Sequence, residues 1–423
     1  MGGSLVSSVI SILASLITAR LFEPAHFGIM ALITAGSSIL GVIAFSHFPN
    51  LIIIEKEDQD VSNALSLSLI THIGICFLAF LSIGFYHVIV SLYFKNVSFQ
   101  YWLYIVPLLT LLNGIVAILL VWANRNALYK KIAFQRFLQV LIPTILQISI
   151  GFFYASASVI IISQIIGILC STLLLLNMFK EKLLSLVFNK PAFGRMIKQN
   201  KALILGSLPA DVINNFSNQL PVFFLKKFAL NGNAAVGYFN MGNRLFSLPI
   251  SFLTSSITEI FRQKASKQYH EEGSCRPLLI KTSLTLFLIS ILPFLVGMAF
   301  APDIFAFVFG EKWRPAGDYA RLIGVLFFFK TIVSPISYVV YIARKFYISL
   351  IMDIVLFVIS IAAIFIGIYG FHSVEMGILF YSISYALLYF ITFYLSYKYA
   401  VNSNFNSEKT KDHPVKVQLE EFY

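Results

Sequence analysis

The residues able to do chemistry in this chain cluster on a few helical faces. In DVINNFSNQLP, residues 211–221, Asp211, Asn214, Asn215 and Asn218 follow i, i+3, i+4, i+7 spacing and so share one face of a helix, with Gln219 beside them. Further along, Asn240, Asn243, Arg244 and Ser247 repeat the pattern. Lys330 stands in the apolar run GVLFFFKTIV, and Asp353 in YISLIMDIVLF. Cations and amides with few acids suit an anionic ligand rich in hydroxyls. Arginine grips phosphate through a planar fork, lysine acts as a point charge, and asparagine both donates to and accepts from a sugar. Asp211 and Asp353 are the acids whose titration could couple such a site to an ion gradient, motivated only by their burial.

Two readings of the stripes stand at this level. They are the wall of a watery passage, or they are interhelical glue, worth only ~0.6 kcal/mol per hydrogen bond on average. A structural pair between Arg244 and Asp211 belongs to the second reading. Cations at mid-depth are an expensive form of glue, because a charge facing lipid there costs at least ~2.5–3.5 kcal/mol.

The elements that must position these residues follow from composition. Hydrophobic residues make up 58% of the 423, charged residues 12%, and the mean hydropathy is +0.83. Soluble domains hold about 45–50% apolar residues. The chain therefore reads as a polytopic helical membrane protein. Twelve apolar stretches are long enough to span: 4–20, 27–46, 63–93, 101–121, 132–153, 156–177, 203–228, 233–258, 278–301, 318–340, 347–369 and 374–398. At 1.5 Å per residue, Asn215, Arg244 and Lys330 each lie about eleven or twelve residues, ~17–18 Å, from the start of their spans, level with one another. Pro209, Pro221 and Pro249 interrupt the same spans and serve as hinges or as packing kinks.

Twenty lysines and arginines fall in the even-numbered loops and the C-terminal tail, Arg344, Lys409, Lys411 and Lys416 among them, against six in the odd-numbered loops, Lys95 among them. This asymmetry puts both termini in the cytoplasm. It also accounts for the net charge of +12 as retention charge beside an anionic leaflet, with no nucleic-acid partner. The opening residues lack a basic start and a cleavage signature and read as a first span, not a signal peptide. Cys76, Cys170 and Cys275 fit neither a disulfide framework nor a metal site. His26, His72, His87 and His372 stand alone, as packing or interface histidines do. No catalytic residue, metal or cofactor is expected.

The chain also repeats itself. ARLFEPAHFGIMAL, 19–32, turns from span one to span two as KKFALNGNAAVGYFNMG, 226–242, turns from seven to eight. A second echo joins 129–152 to 343–370. Six spans per half is even, so the halves share an orientation and a pseudo-two-fold axis along the membrane normal. The expected organisation is an N-terminal six-helix bundle, 1–177, a basic cytoplasmic linker, 178–202, a C-terminal six-helix bundle, 203–400, and a polar cytoplasmic tail, 401–423. Two bundles around a central cavity are the layout of an alternating-access transporter, with a mid-membrane substrate site. The linker reads as passive, with an amphipathic surface segment as the alternative.

ARLFEPAHFGIMAL resembles the A-R-L-L-G-P-x-x-F-G turn of the polysaccharide transporter family, the Wzx-type flippases of the superfamily that includes multidrug antiporters and lipid II flippases. NNFSNQLPVFFLKKF with AAVGYFNMGNRLFSLP, and APDIFAFVFGEKWRPAGDYARLIG, 301–324, resemble further motifs of that family in order and spacing. The resemblance implies a flippase in a bacterial cytoplasmic membrane. It would carry a polyprenyl-pyrophosphate-linked oligosaccharide from the inner to the outer face, among membrane lipids and other polysaccharide assembly proteins. Asn214, Asn215, Asn218, Gln219, Asn240, Asn243 and Arg244 fall in the matching motifs, and with Lys330 form the expected substrate contacts. SHFPN, before the acidic loop EKEDQD at 55–60, lacks the family's Arg-Tyr-Glu lead-in, so no role carries over there. Twelve spans, without an extra pair, argue against a lipid II flippase. A drug antiporter of the same fold is the nearest rival and would use intramembrane carboxylates, for which Asp211 and Asp353 are the candidates. An integral membrane polymerase or glycosyltransferase would want a sizeable outer loop bearing catalytic groups, and the outer loops here are short.

Overall fold

The computed structural model describes residues 2–93, 101–184, 186, 189–343 and 345–402. Lys95, Arg344, Lys409, Lys411 and Lys416 of the charge asymmetry, and all but the first two residues of the 401–423 tail, lie outside these. The helices are α1 (Gly2–Leu21), α2 (Pro24–Phe45), α3 (Phe48–Ile54), α4 (Asp58–Tyr93), α5 (Ile105–Arg125), α6 (Tyr129–Gly151), α7 (Ala157–Met178) and α8 (Lys180–Leu184). They continue as α9 (Lys190–Gln199), α10 (Lys201–Phe228), α11 (Gly232–Glu271), α12 (Arg276–Phe309), α13 (Arg314–Val333), α14 (Val339–Ile342), α15 (Phe346–Phe365) and α16 (Val374–Tyr399). Among the described residues, twelve helices run from 20 to 40 residues and correspond one to one with the twelve expected spans. Twenty residues of helix cover ~30 Å, the thickness of the hydrocarbon core.

Among the described residues, eight of the twelve contain a stretch long and apolar enough to cross a membrane by length and composition alone. The other four are α1, α10, α11 and α13, and the last three are the helices that carry the polar stripes and Lys330. The spans also differ from expectation in detail. Span ten was to run to 340, but α13 stops at Val333, because the residue before Pro335 is driven away from helical geometry; α14 resumes after the break. Span eight continues to Glu271, beyond the apolar stretch, and α10 is continuous through Pro209 and Pro221.

The described chain forms two compact units, Met1–Asn240 with Ile304–Pro315, and Met241–Asp303 with Ala316–Tyr423. In the first unit α6 packs on α1 and α7, α5 on α2, α4 and α7, and α10 on α2. The repeated turn motifs meet here. A Cβ on Gly28 would fall 1.7 Å from the Asn233 carbonyl oxygen, and one on Gly237 would fall 2.0 Å from that of Pro24. Each glycine thus faces the carbonyl four residues before the other, the reciprocity that a two-fold relation between the motifs requires. Only hydrogen fits on either side.

The FGEKW segment closes the same corner. Trp313 is fully buried, donates from Nε1 to the Ala19 carbonyl at 2.7 Å, and meets Phe27 and Tyr238 edge to face. Lys312 Nζ donates to the Arg20 carbonyl at 3.0 Å and to Glu23 Oε1 at 3.3 Å. The motifs that carry the family resemblance are therefore largely a joint between helix ends.

The basic linker is docked. Asn189 caps α9 by accepting from the Ala192 N–H, and α9 buries Ala192, Phe193 and Met196. Phe193 and Met196 pack with Phe48, Leu51 and Leu65, while Arg195 pairs with Asp60 at 2.8 Å. The second unit has its own core of Phe261, Leu279, Leu286, Ile336 and Val339, flanked by Tyr389 and Phe393. There Arg262 lies over the Tyr338 ring and Arg276 over that of Tyr397. Burial pushes the Cys275 thiol up to about 11, which keeps it protonated and unreactive.

Two substitutions test the joint. Gly28→Ala forces α2 off a backbone carbonyl that cannot retreat without moving α11, costing at least the ~1–3 kcal/mol of ordinary overpacking. Trp313→Phe keeps most of the ring but strands the Ala19 carbonyl, a loss of ~1–3 kcal/mol. Thermal unfolding of the purified protein in detergent measures both, and wild-type stability of Gly28→Ala would show that the two helices do not meet there.

Candidate functional site

α10 buries Ala210, Ser217, Leu220 and Leu225 on one face and turns its polar residues to another. On that second face Asp211 is exposed, and Asn214, Asn215 and Asn218, with Gln219 beside them, are half-buried. Two of the polar residues reach α2 and its following turn. Asn215 Oδ1 accepts from Ser38 Oγ at 3.2 Å. One turn earlier, the Asp211 carboxylate lies 2.9 Å from His47 Nε2, with 55% and 16% of the two side chains exposed. Asn214 and Asn218 bond along the helix, the Asn218 amide donating to both the Asn214 carbonyl at 2.9 Å and its Oδ1 at 3.0 Å.

His47 was not legible as a site residue in the sequence, where SHFPN offers no periodic polar partner. Its position comes from the backbone. Ser46 and His47 are consecutive non-glycine residues in the left-handed region, φ 49° and 59°, a sparsely populated geometry that persists only where the surroundings impose it. The Ser46 N–H bonds the Val42 carbonyl, and Asn50 Nδ2 lies 3.2 Å from His47 Nδ1. With that amide donating to Nδ1, the ring proton sits on Nε2 and faces Asp211.

The pair borders a cavity of about 650 Å³ within the first unit. Its wall includes Thr34, Ser37 and Ser38 of α2, His72 of α4, Thr110 and Asn113 of α5, Gln164 of α7, and Asp211. Ser37 and Thr110 bond each other at 2.9 Å, and the buried His72 holds the Thr110 carbonyl through Nε2 at 3.1 Å. Asn113 and Gln164 had given no sequence signal, because each is a lone polar residue in an apolar run. Two of the other isolated histidines have local partners: His26 Nδ1 accepts from the Glu23 N–H, and His87 Nδ1 lies 3.3 Å from the Tyr104 hydroxyl. Among the described residues no group of three or more His, Cys, Asp or Glu could hold a metal.

α11 passes from the first unit to the second between Asn240 and Met241. Asn240 is exposed, Asn243 and Arg244 are half-buried, and Ser247 is exposed. In the second unit the opposite face is buried against α12 and α13. A Cβ on Gly242 would come within 3.0 Å of the Ala316 carbonyl oxygen, and Phe246 stacks on Phe294 and Phe327. The close approach at Gly242 thus turns Asn240, Arg244 and Ser247 away from that helix contact. Lys330 is half-buried on α13, its Nζ 5.5 Å from the Phe327 ring centroid, within cation–π range. Asp353, half-buried on α15, lies within electrostatic reach of Tyr385 and Tyr389 of α16, part of a ring column begun by Tyr381.

The first unit therefore gathers Asp211 and Asn215 onto α2, and the second carries Asn243, Arg244, Lys330 and Asp353. Chemically, α10 and α11 present amide dipoles on partly exposed faces, and α11 and α13 add two fixed cations. The Asp211–His47 pair is exposed enough to be weak. A double-mutant cycle of His47→Ala and Asp211→Ala, read by thermal unfolding, is expected to give a coupling of ~0.2–1 kcal/mol. Zero coupling would mean the two groups do not interact.

A sequence profile described as "Polysaccharide biosynthesis protein" matches residues 17–318, from α1 into α13. Among curated proteins, none matches the chain significantly by sequence. Among solved structures, an inward-facing multidrug resistance MATE family transporter of the MOP superfamily superposes with a TM-score of 0.70 at 13% identity, covering 92% of this chain and 93% of that one. The lipid II flippase MurJ superposes with a TM-score of 0.69 at 18% identity, covering 94% of this chain and 86% of MurJ. A MOP superfamily transporter from Pyrococcus furiosus gives 0.56 at 15% identity, over 94% and 92%. At such identities the likeness is one of fold. The helices, the joined motifs and the profile agree: the chain is a multi-pass membrane protein of the polysaccharide biosynthesis protein family, with the fold of MOP superfamily transporters.

Proposed function

We propose that this protein is a flippase that moves polyprenyl-pyrophosphate-linked oligosaccharide units across the bacterial cytoplasmic membrane by alternating access, for O-antigen, capsule or exopolysaccharide assembly. The observation that carries the reading is the polar stripe on α10 and α11, with Arg244 and Lys330, in membrane helices of a polysaccharide biosynthesis family member. Unaided passage of a pyrophosphate through hydrocarbon faces a desolvation cost on the order of tens of kcal/mol. Fixed amides and cations substitute for the lost water. In this reading Arg244 and Lys330 hold the pyrophosphate, and Asn214, Asn215, Asn218, Gln219, Asn240 and Asn243 hold sugar hydroxyls. The likeness to a lipid II flippase supports a lipid-linked substrate. The lysine and arginine asymmetry supports cytoplasmic termini. The reading is one of transport, not catalysis.

The likeness to multidrug transporters keeps a cation-coupled antiporter as the second reading, and the Asp211–His47 pair is the observation that favours it. Asp211 and Asp353 are then the coupling groups.

Two experiments separate these. In a strain lacking its own flippase, Arg244→Ala and Lys330→Ala are each expected to lower surface polysaccharide at least ~10-fold, the effect of losing ~1.4 kcal/mol or more of charge-assisted binding. Full export by both expressed variants would rule out the site. In vesicles, transport by Asp211→Asn and Asp353→Asn is expected to lose its response to an imposed proton gradient in at least one case. An unaltered response in both removes the carboxylates from coupling.

A further inference from the structure

The first unit holds a second cavity, about 720 Å³, lined by a different set of residues from the first. It is an apolar groove whose wall includes Ile33 of α2, Ile83 of α4, Trp102 in the turn before α5, and Phe223 of α10. Among the described residues its polar side chains are the Lys226 ammonium and the Asn233 amide, supplied by the end of α10 and the start of α11. Lys226 Nζ donates to Asn233 Oδ1 at 2.7 Å, and among the described residues no carboxylate lies within ion-pair distance of it. A lysine near a helix C-terminus complements the helix dipole. Exposed Lys227, its ammonium over the Phe228 ring, already stands at that end, whereas Lys226 is half-buried on the groove. An ammonium has three donors, so one can stay on Asn233 while two remain for an anion. The volume falls within the ~300–1,000 Å³ usual for small-molecule sites.

We propose that this groove binds a single isoprenoid chain ending in a phosphate, the chain along the apolar wall and the phosphate on Lys226. Among the described lining residues one cation borders a largely hydrocarbon wall, a complement to an amphiphile with one anionic head. The choice of an isoprenoid over a diacyl lipid rests on the lipid-linked reading above. The groove is then a site for the monophosphate carrier lipid, separate from the one where Arg244 and Lys330 hold the substrate's pyrophosphate.

Trp102 reports on the site directly. The protein is reconstituted in vesicles of brominated phosphatidylcholine, whose bromines quench tryptophans touching acyl chains, and the Trp102 signal is the difference between wild type and Trp102→Phe. Unbrominated polyprenyl phosphate, polyprenol of the same length, or phosphatidylglycerol is then added. Polyprenyl phosphate is expected to restore Trp102 fluorescence at a mole fraction about tenfold lower than polyprenol, as one charge-assisted contact predicts, and lower than phosphatidylglycerol, whose two chains do not fit a single-chain slot. Lys226→Gln should bring its curve onto that of polyprenol, and Lys226→Arg should keep the preference. Coincident phosphate and polyprenol curves, no recovery with any lipid, or an unchanged Lys226→Gln would overturn the proposal. Equal potency of phosphatidylglycerol would make the groove a phospholipid site and overturn it as well. The export assay on Arg244 and Lys330 fails or succeeds independently, so loss of one result leaves the other interpretable.

Discussion

In hydrocarbon, a polar group that has no partner costs several kcal/mol, and the backbone, the amides and the charges of this chain are all arranged under that constraint. It makes every long element a helix, since only a helix satisfies its own N–H and C=O groups within one segment. It also separates the helices into two kinds. Among the described residues eight contain a stretch apolar enough to span by composition alone, while α10, α11 and α13, and α15 at Asp353, carry side chains that must find partners in protein, water or substrate. Where these helices place their polar faces is therefore the question on which function turns.

Two devices orient those faces, and both act through close backbone approach. At Gly28 and Gly237 the starts of α2 and α11 press together with no room for a side chain, and the buried Trp313 pins the neighbouring turn to the end of α1. At Gly242 the same helix α11 lies close on α13, which commits Phe246 to the interior and leaves Asn240, Arg244 and Ser247 on the other side. Small residues let membrane helices approach closely where no hydrophobic driving force exists between them. The family motifs thus bear on function indirectly, by fixing the rotation of the helices that carry the polar residues.

The amides of α10 differ in where they bond. Asn215 accepts from Ser38 across on α2, an interhelical tie, while Asn218 donates to Asn214 along the helix. Asp211 takes His47, a residue from a turn whose sequence departs from the family pattern. The linker shows the same divergence between local and long-range information. Its basic composition suggests a passive tether, yet Phe193 and Met196 are core residues and Arg195 has an acidic partner at the start of α4.

The amino-acid sequence alone determined the helical membrane class, the twelve spans, the shared faces of the polar residues and the family resemblance. Hydropathy, 3.6-residue periodicity and turn motifs are local properties, readable within windows of twenty residues. Tertiary structure decided the partners: His47 for Asp211, Ser38 for Asn215, Asn233 for Lys226, Gly237 for Gly28, and the early end of α13 before Pro335. All but the last and the Lys226–Asn233 bond join residues more than a hundred positions apart. No local pattern marks which of many polar residues will face which, because that choice is made by helix packing across the whole unit.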